Sequence, residues 1–455
     1  MNPSQPKDQR PSVRTPPPGP KSMALRARED AALAPGLQGF ALMAGIVVDE
    51  AKGSAVTDVD GNTYLDFIGG IGVNGLGHSH PTYVAAMQKQ LAKASVGSFT
   101  SEARVDLVER VAKKEPAKGV RRLQLYSGGA EAVESAMRLA KCHTRKNEFV
   151  SFWGGFHGKT LGALSLNGTS LKNALGPMAP GHHHVPFADC YRCPIGSTYP
   201  SCGLGCVEMG RKQIQASSAG SIAAVFVEPM QGTAGNIIPP PEFLPGVREI
   251  AREHAALLIV DEMITGFGRT GKYWGVDHSG VRPDVVTLGK AFGGGFPVSA
   301  LLTTDEISKA RPWSDPSGSS SSYGGNPLAA VAAATSLKII DDESLVHNSE
   351  RVGAFMLEQL RPMVDRYPFV GHVQGSGLFL GVELVVDKKT KEPLSKKACR
   401  RFFDEALARG LLTMAYSPHF RLQPALTLDE STARNGIEIL REVFDAIERD
   451  GSWKT

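Results

Sequence analysis

Val286-Thr287-Leu288-Gly289-Lys290-Ala291-Phe292-Gly293-Gly294-Gly295-Phe296-Pro297 is an apolar run that stops at a cation and passes into a glycine turn. The run reads as a buried strand, and Lys290 sits just past its end. A lysine so placed can form a Schiff base with a carbonyl. Upstream, Leu257-Leu258-Ile259-Val260 is a second apolar run, and it ends in Asp261. A lysine for an aldehyde and a carboxylate for a pyridinium nitrogen are the two groups that pyridoxal phosphate asks of a protein.

Outward from these two strands the pattern alternates. Strands are expected at Leu123–Tyr126, Phe149–Phe152 and Ile222–Val227, with helices at Ala130–Lys141 and Pro245–His254. Alternation of this kind predicts an α/β fold with a mostly parallel sheet covered on both faces. Before it, Ala55–Asp58 and Thr63–Phe67 flank Asp60-Gly61 and read as a hairpin, and helices are expected over Thr82–Ala94 and Glu102–Lys113. A helix from Pro327 to about Ile340 is expected to leave the layer. From about Leu345 onward the pattern, with strands at Leu378–Val385 and Phe420–Leu422, reads as a smaller domain. The expected division is a disordered tail over residues 1–22, an N-terminal segment of the small domain over 23–75, a large cofactor-binding domain over 76–335 and a C-terminal small domain over 336–455.

The bulk properties are those of an ordinary globular protein. A net charge of +4 is small against 50 basic and 46 acidic side chains and predicts neither nucleic-acid nor membrane binding. No apolar run reaches the roughly 18 residues of a membrane span. The Pro-, Ser-, Lys- and Arg-rich start holds no signal-peptide core, so a cytoplasmic location is expected. Cys142 and Cys399 are isolated, whereas Cys190, Cys193, Cys202 and Cys206 crowd one loop, spaced by two, eight and three residues. Such a cluster favours metal or reduced thiols over disulfides. Four thiolates suit a tetrahedral zinc site, and an ordered loop of reduced cysteines is the alternative. The neighbouring His182, His183 and His184 read as loop residues rather than ligands.

Three expected strands thus end in polar residues: Glu228 after Val227, Asp261 after Val260 and Lys290 after Leu288-Gly289. In open parallel sheets, ligands bind at the carboxyl ends of strands. Tyr126-Ser127-Gly128-Gly129-Ala130-Glu131-Ala132 runs from a strand through glycines into a helix, the arrangement in which backbone N–H groups and the helix N-terminus receive an anion. Phe156-His157-Gly158-Lys159 follows another strand and supplies an aromatic able to stack on a flat ring.

With these residues in place the chain resembles the class III (subgroup II) pyridoxal-phosphate-dependent aminotransferases of fold type I. The segments that carry the resemblance are Gly77-His78-Ser79-His80-Pro81, Ser127 to Ala132, Phe156-His157-Gly158, Glu228-Pro229-Met230-Gln231-Gly232, Asp261-Glu262, Thr265 to Gly271, Gly289-Lys290, Tyr323 to Leu328, Gly375-Ser376-Gly377 and Arg421. The resemblance implies a large domain built on a seven-stranded sheet, plus a small α+β domain. It implies that Lys290 holds the cofactor and moves the proton, and that Asp261 keeps the pyridine nitrogen protonated. Ser127, Gly128, Gly129 and Ala130 would bind the phosphate, Gly129 and Ala130 through backbone N–H groups. Phe156 and Met263 would pack the two ring faces, and His157, Glu228 and Ile264 would lie beside the cofactor. Ser322 would reach the phosphate of a neighbouring subunit in a homodimer, or a tetramer, with shared active sites. Ile71 would line the substrate pocket, and Arg421 would grip the α-carboxylate with its planar fork.

The reaction implied is a ping-pong transfer of an amino group from an ω-amino acid or diamine, of the 4-aminobutyrate kind, to a 2-oxo acid such as 2-oxoglutarate or pyruvate. Three positions depart from the pattern. Thr233 stands where many ω-aminotransferases place a glutamate that pairs with the carboxylate-binding arginine. Ile264 stands where glutamine often contacts the cofactor's phenolic oxygen. Lys159 takes a position that is commonly arginine and binds a distal carboxylate, and a solvated lysine is the alternative there. The cysteine loop resembles one branch of the family, similar to both 4-aminobutyrate aminotransferases and amino-acid racemases or epimerases. A racemase on the same scaffold is therefore the alternative activity.

Overall fold

The computed structural model describes residues 5–454. The chain divides into two compact units, one made of the chain up to Thr82 together with Glu343 onward, the other of Tyr83–Asp342. In chain order the strands are β1 (Val48–Lys52), β2 (Ala55–Asp58) and β3 (Thr63–Asp66) in the first unit. The second unit holds β4 (Arg122–Tyr126), β5 (Glu148–Phe152), β6 (His182–Val185), β7 (Ile222–Val227), β8 (Leu257–Asp261), β9 (Val285–Leu288) and β10 (Ser299–Thr303). The first unit resumes with β11 (Val370–Ser376), β12 (Phe379–Asp387), β13 (Glu392–Pro393), β14 (Leu411–Leu412) and β15 (His419–Leu422).

The unit Tyr83–Asp342 is built on a sheet of seven strands in the order β4-β10-β9-β8-β7-β5-β6. The pairs β5–β6, β5–β7, β7–β8 and β8–β9 are parallel, and β10 runs antiparallel to both its neighbours. Every residue of β5, β7, β8, β9 and β10 is buried. That is why these strands read as unbroken apolar runs rather than as alternation: helices cover both faces. On one face the helix Gly129–Thr144 buries Ala132, Val133, Ala136, Met137, Leu139 and Ala140 against Phe149, Phe226, Ile259, Val285 and Leu301. Two expectations change here. His182–Val185 is the edge strand β6, not a loop; its three histidines concealed a strand that pairs along one side only. The helix Pro327–Asp342 stays with this unit to its end, because Ala329, Ala330, Ala332, Ala333, Leu337, Ile339 and Ile340 are all buried.

The other unit holds two four-stranded sheets. One has the order β1-β2-β3-β14; in the other β11 pairs β12, and β12 also pairs β13 and β15. Its core gathers Phe67, Tyr367, Phe369, Phe402, Phe420 and Phe444 with Val352 and Leu360 of the helix Leu345–Leu360, Ala398 and Cys399 of the helix Lys396–Ala408, and Ile437, Leu440 and Val443 of the helix Glu430–Asp450. Ring pairs such as Phe369–Phe444 and Phe402–Phe444 meet edge to face, which suits their quadrupoles. The expectation of a disordered tail is corrected over its described part, while Met1–Ser4 lie outside the described residues. Gln9 N donates to Thr432 Oγ1 at 2.9 Å, and Arg14 N and Thr15 N donate to Asn62 Oδ1 at 2.9 and 3.0 Å. Lys21 N and Ser22 N donate to the Asp60 carboxylate at 2.8 and 2.9 Å, at the start of a helix Pro20–Asp30. The composition of this segment conceals the ordering, because the acceptors sit far along the chain, Asn62 and Asp60 at the hairpin turn and Thr432 on the helix Glu430–Asp450.

Candidate active site

Parallel pairing brings the carboxyl ends of β7, β8 and β9 level, through the registers Val227↔Val260 and Asp261↔Thr287. Glu228, Asp261 and Lys290 lie at or just beyond those ends. Asp261 is 1% exposed. One of its oxygens accepts Met263 N at 3.0 Å, and the other accepts His157 Nδ1–H at 2.7 Å. His157 is itself buried, and its backbone N–H donates to Asn167 Oδ1 at 2.7 Å. Burial pulls the imidazole's pKa down. The hydrogen bond and charge of Asp261, with the charge of Glu228, more than offset this and hold it above its ordinary value.

Lys290 opens the short turn Lys290–Gly293 with φ +50°. Left-handed backbone at a lysine is uncommon and is tolerated where the surroundings fix it. Here Gly289 lets the chain pass Met263: a Cβ on Gly289 would lie 2.5 Å from Met263 Sδ. Tyr83 Oη donates to Gly293 O at 2.7 Å and holds the far end of the turn.

The loop after β4 enters the helix Gly129–Thr144. Ser127 N and Gly128 N both donate to Glu131 Oε2 at 2.8 Å, so these two amides are engaged by the helix's own carboxylate. The next two amides, of Gly129 and Ala130, belong to the first helical turn and have no intrahelical acceptor. Ser299 Oγ donates to Gly128 O at 2.7 Å and fixes the loop to β10. Two close approaches require small residues. A Cβ on Gly129 would lie 3.0 Å from Met263 Sδ, and a Cβ on Gly158, at φ +141°, would lie 2.8 Å from Ala130 Cβ. An anion cradle at a helix N-terminus, a buried carboxylate held by an imidazole, and a lysine fixed on a glycine turn fit the phosphate, pyridine nitrogen and aldehyde of pyridoxal phosphate.

Glu228 is buried. It accepts Phe156 N and Gly232 N, each at 3.0 Å. Ile264 is 5% exposed and packs under Gly232, whose Cβ position lies 3.1 Å from Ile264 Cδ1. Lys159, Thr233 and Ser322 are exposed on this unit. The segment before Ser322 is tied to β4 by Ser319, whose Oγ lies 2.6 Å from Tyr126 Oη. Ile71 and Arg421 belong to the other unit. Ile71 has φ +64°, a rare conformation for a β-branched residue, and the half-buried Arg421 lies on β15 opposite Gly381 of β12.

Sequence reasoning missed Asn167, which accepts His157 N and donates to Gly158 O at 2.8 Å. It also missed Gln231, whose Nε2 donates to Trp153 O at 2.9 Å. The zinc alternative is not met: among the described residues no group of three or more His, Cys, Asp or Glu is placed to hold a metal ion. Cys190, Cys193, Cys202 and Cys206 are free thiols. Burial pushes the Cys190 thiol up to about 11, with the other three thiols adding to the shift.

Comparison with known proteins agrees with this geometry. Residues 40–444 match the family described as Aminotransferase class-III. The chain is 33% identical over 412 residues to a leucine/methionine racemase of Thermococcus litoralis, covering 89% of this chain and 92% of that one. It is 32% identical over 407 residues to the 4-aminobutyrate aminotransferase GabT of Escherichia coli, covering 88% and 93%. Among solved structures, an amine transaminase from an uncultivated Pseudomonas species in its PLP-bound form superposes with a TM-score of 0.85 at 32% identity, over 91% of this chain and 98% of that one.

Proposed function

This chain belongs to the class III aminotransferase family, and from that premise we propose that it moves an amino group from an ω-amino acid or diamine of the 4-aminobutyrate kind to a 2-oxo acid such as 2-oxoglutarate or pyruvate. Pyridoxal phosphate, the family's cofactor, supplies a carbonyl for the amine and a ring that withdraws electrons from the carbon losing its proton. The observation that carries the reading is the level set of strand ends, with Asp261 held by His157 at 2.7 Å and Lys290 fixed on its turn.

The protein's groups divide the work. Lys290 Nζ would take the proton from the donor carbon and return it to the cofactor's carbonyl carbon, on the other side of the transferred nitrogen. Asp261 stabilises a positive charge at the pyridine nitrogen, and His157 orients that carboxylate. Gly129 and Ala130 N–H hold the phosphate, with Ser127 and Gly128 shaping the loop. Phe156 and Met263 confine the ring, and Ile264 fills the space beside it. Arg421 receives the α-carboxylate, Lys159 a distal one, and Ile71 lines the pocket. Ser322 serves the neighbouring subunit's phosphate, which makes the enzyme a homodimer with shared sites. Six free thiols suit a reducing, cytoplasmic setting; no helix among the described residues is long and apolar enough to cross a membrane.

The racemase reading keeps two supports. Thr233 removes the acid that would pair with the arginine when a donor lacks an α-carboxylate, and the similarity to a racemase is as high as to GabT. One experiment separates the two. Holoenzyme is mixed with a single donor and no 2-oxo acid, and the cofactor's visible absorbance is followed. Conversion to the pyridoxamine form by 4-aminobutyrate or a diamine, reversed by 2-oxoglutarate or pyruvate and absent in Lys290→Ala, supports transamination. Loss of optical activity from an L-amino acid, without that conversion, supports racemisation instead.

A further inference from the structure

The segment Glu228-Pro229-Met230-Gln231-Gly232 places two buried acceptors and donors where the reaction gives them no task. Glu228 follows β7 directly and is 6% exposed. Its two oxygens serve two different loops: Oε1 accepts Phe156 N at 3.0 Å, after β5, and Oε2 accepts Gly232 N at 3.0 Å, after β7. Gln231 is 3% exposed and makes a second tie between the same loops, its Nε2 donating to Trp153 O at 2.9 Å. Its Oε1 lies where a Cβ on Gly154 would approach within 2.7 Å, and Gly154 has φ +78°, so the β5 loop is shaped to pass this side chain. Gln231 is itself held by its backbone, paired in both directions with Ile237 at 3.1 and 2.9 Å.

A carboxylate is an unfavourable group to bury here. Burial pushes the Glu228 pKa up, and the nearby charge of Asp261 adds to this, while His157 and the two N–H groups oppose it. Only a carboxylate offers an acceptor on each of two oxygens. A glutamine in its place would turn an NH2 toward one of the two N–H donors. The geometry points to Glu228 and Gln231 as positioning residues that latch the Trp153–Phe156 loop to the Gly232–Thr233 loop, fixing the height and tilt of the Phe156 ring and, through the same clamp, the backbone at Thr233. This rests on the reading of Phe156 as the residue that stacks on the cofactor ring.

The test uses Glu228→Gln and Gln231→Leu in the full-length protein, with three readouts besides activity. In Glu228→Gln, hydrogen exchange in the apoenzyme should speed by about 10-fold at whichever of the Phe156 and Gly232 amides faces the new NH2, the loss of one charge-assisted bond, and in Gln231→Leu both amides should speed by a smaller factor. The holoenzyme's induced circular dichroism in the cofactor's visible band should change. The dissociation constant for pyridoxal phosphate, from fluorescence quenching, should rise by about 10-fold, while Lys290 still reacts. Unchanged exchange overturns the latch. Faster exchange with unaltered circular dichroism and cofactor affinity overturns its positioning role. Should Glu228→Gln not fold, Gln231→Leu, which removes only the second tie, carries the same three readouts. A wild type that racemises rather than transaminates would sink the proposed function and leave this latch to stand or fall on its own measurements.

Discussion

His157 Nδ1 donates to Asp261 Oδ2 across 2.7 Å, with both side chains buried and the two residues 104 positions apart in the chain. The pair joins the loop after β5 to the end of β8. It fixes the tautomer of one group and the orientation of the other, and it leaves the second Asp261 oxygen to Met263 N at 3.0 Å.

Replacing His157 with Phe should leave a buried carboxylate oxygen without its donor, at a cost of about 3 kcal/mol, and should lower kcat/KM by about 10- to 100-fold. His157→Asn, which keeps an N–H donor, should recover part of both. The imidazole's folded pKa lies above its ordinary value of 6.5. The pair's stabilisation is therefore fully present below 6.5 and is lost as pH rises through the folded value. Urea unfolding of wild type and His157→Phe across that window should show the difference shrinking at the alkaline end.

Glu262 follows Asp261 but serves the fold. Its carboxylate accepts Thr265 Oγ1, Gly275 N at 2.9 Å and Val276 N at 2.7 Å. Burial outweighs these bonds and pushes its pKa from 4.5 up to about 7. A folded value above the unfolded one means that the folded protein holds the extra proton. Its contribution is present below 4.5 and is lost as pH rises through about 7. Between about pH 5 and pH 8, wild type should lose on the order of 3 kcal/mol more stability than Glu262→Gln. Parallel stability–pH curves would reject this.

Gly353 lies in the helix Leu345–Leu360, and a Cβ there would sit 2.0 Å from Gly377 O and 2.2 Å from its carbonyl carbon. The obstacle is backbone, so no side-chain rotation relieves it. Gly353→Ala should destabilise the protein by about 3 kcal/mol, read as a lower midpoint in denaturant with an unchanged slope. A midpoint within error of wild type would show that the helix moves aside.

Arg421→Ala should raise KM for the 2-oxo acid by about 10- to 100-fold, the range for a charge-assisted contact, with a smaller change in kcat. Arg421→Lys should recover little, because a point charge cannot reproduce the two-pronged grip. Steady-state kinetics with 2-oxoglutarate and pyruvate check this; an unaltered KM would remove Arg421 from the site.

Lys290 and Asp261 were legible in the sequence because each breaks an apolar run at a strand end, a place where a charge has few structural uses. The loop that leads into the helix Gly129–Thr144 was legible because glycine before a helix is a local signal. Asn167, Gln231 and Glu228's double contact were not, since a polar side chain near a glycine says nothing about which distant amide it will meet. The strand His182–Val185 and the ordered N-terminal segment were hidden for a related reason: both gain their order from one-sided pairing with residues far along the chain.

The sequence by itself thus determined the α/β architecture and the cofactor class, and put Lys290 and Asp261 at strand ends, because hydrophobic periodicity and residue type act locally. Only the tertiary structure decided how those groups are held: the imidazole on Asp261, the left-handed turn at Lys290, the clamp on Phe156. Each depends on the parallel register that levels three strand ends, and register is a property of strands meeting, not of any one strand's residues.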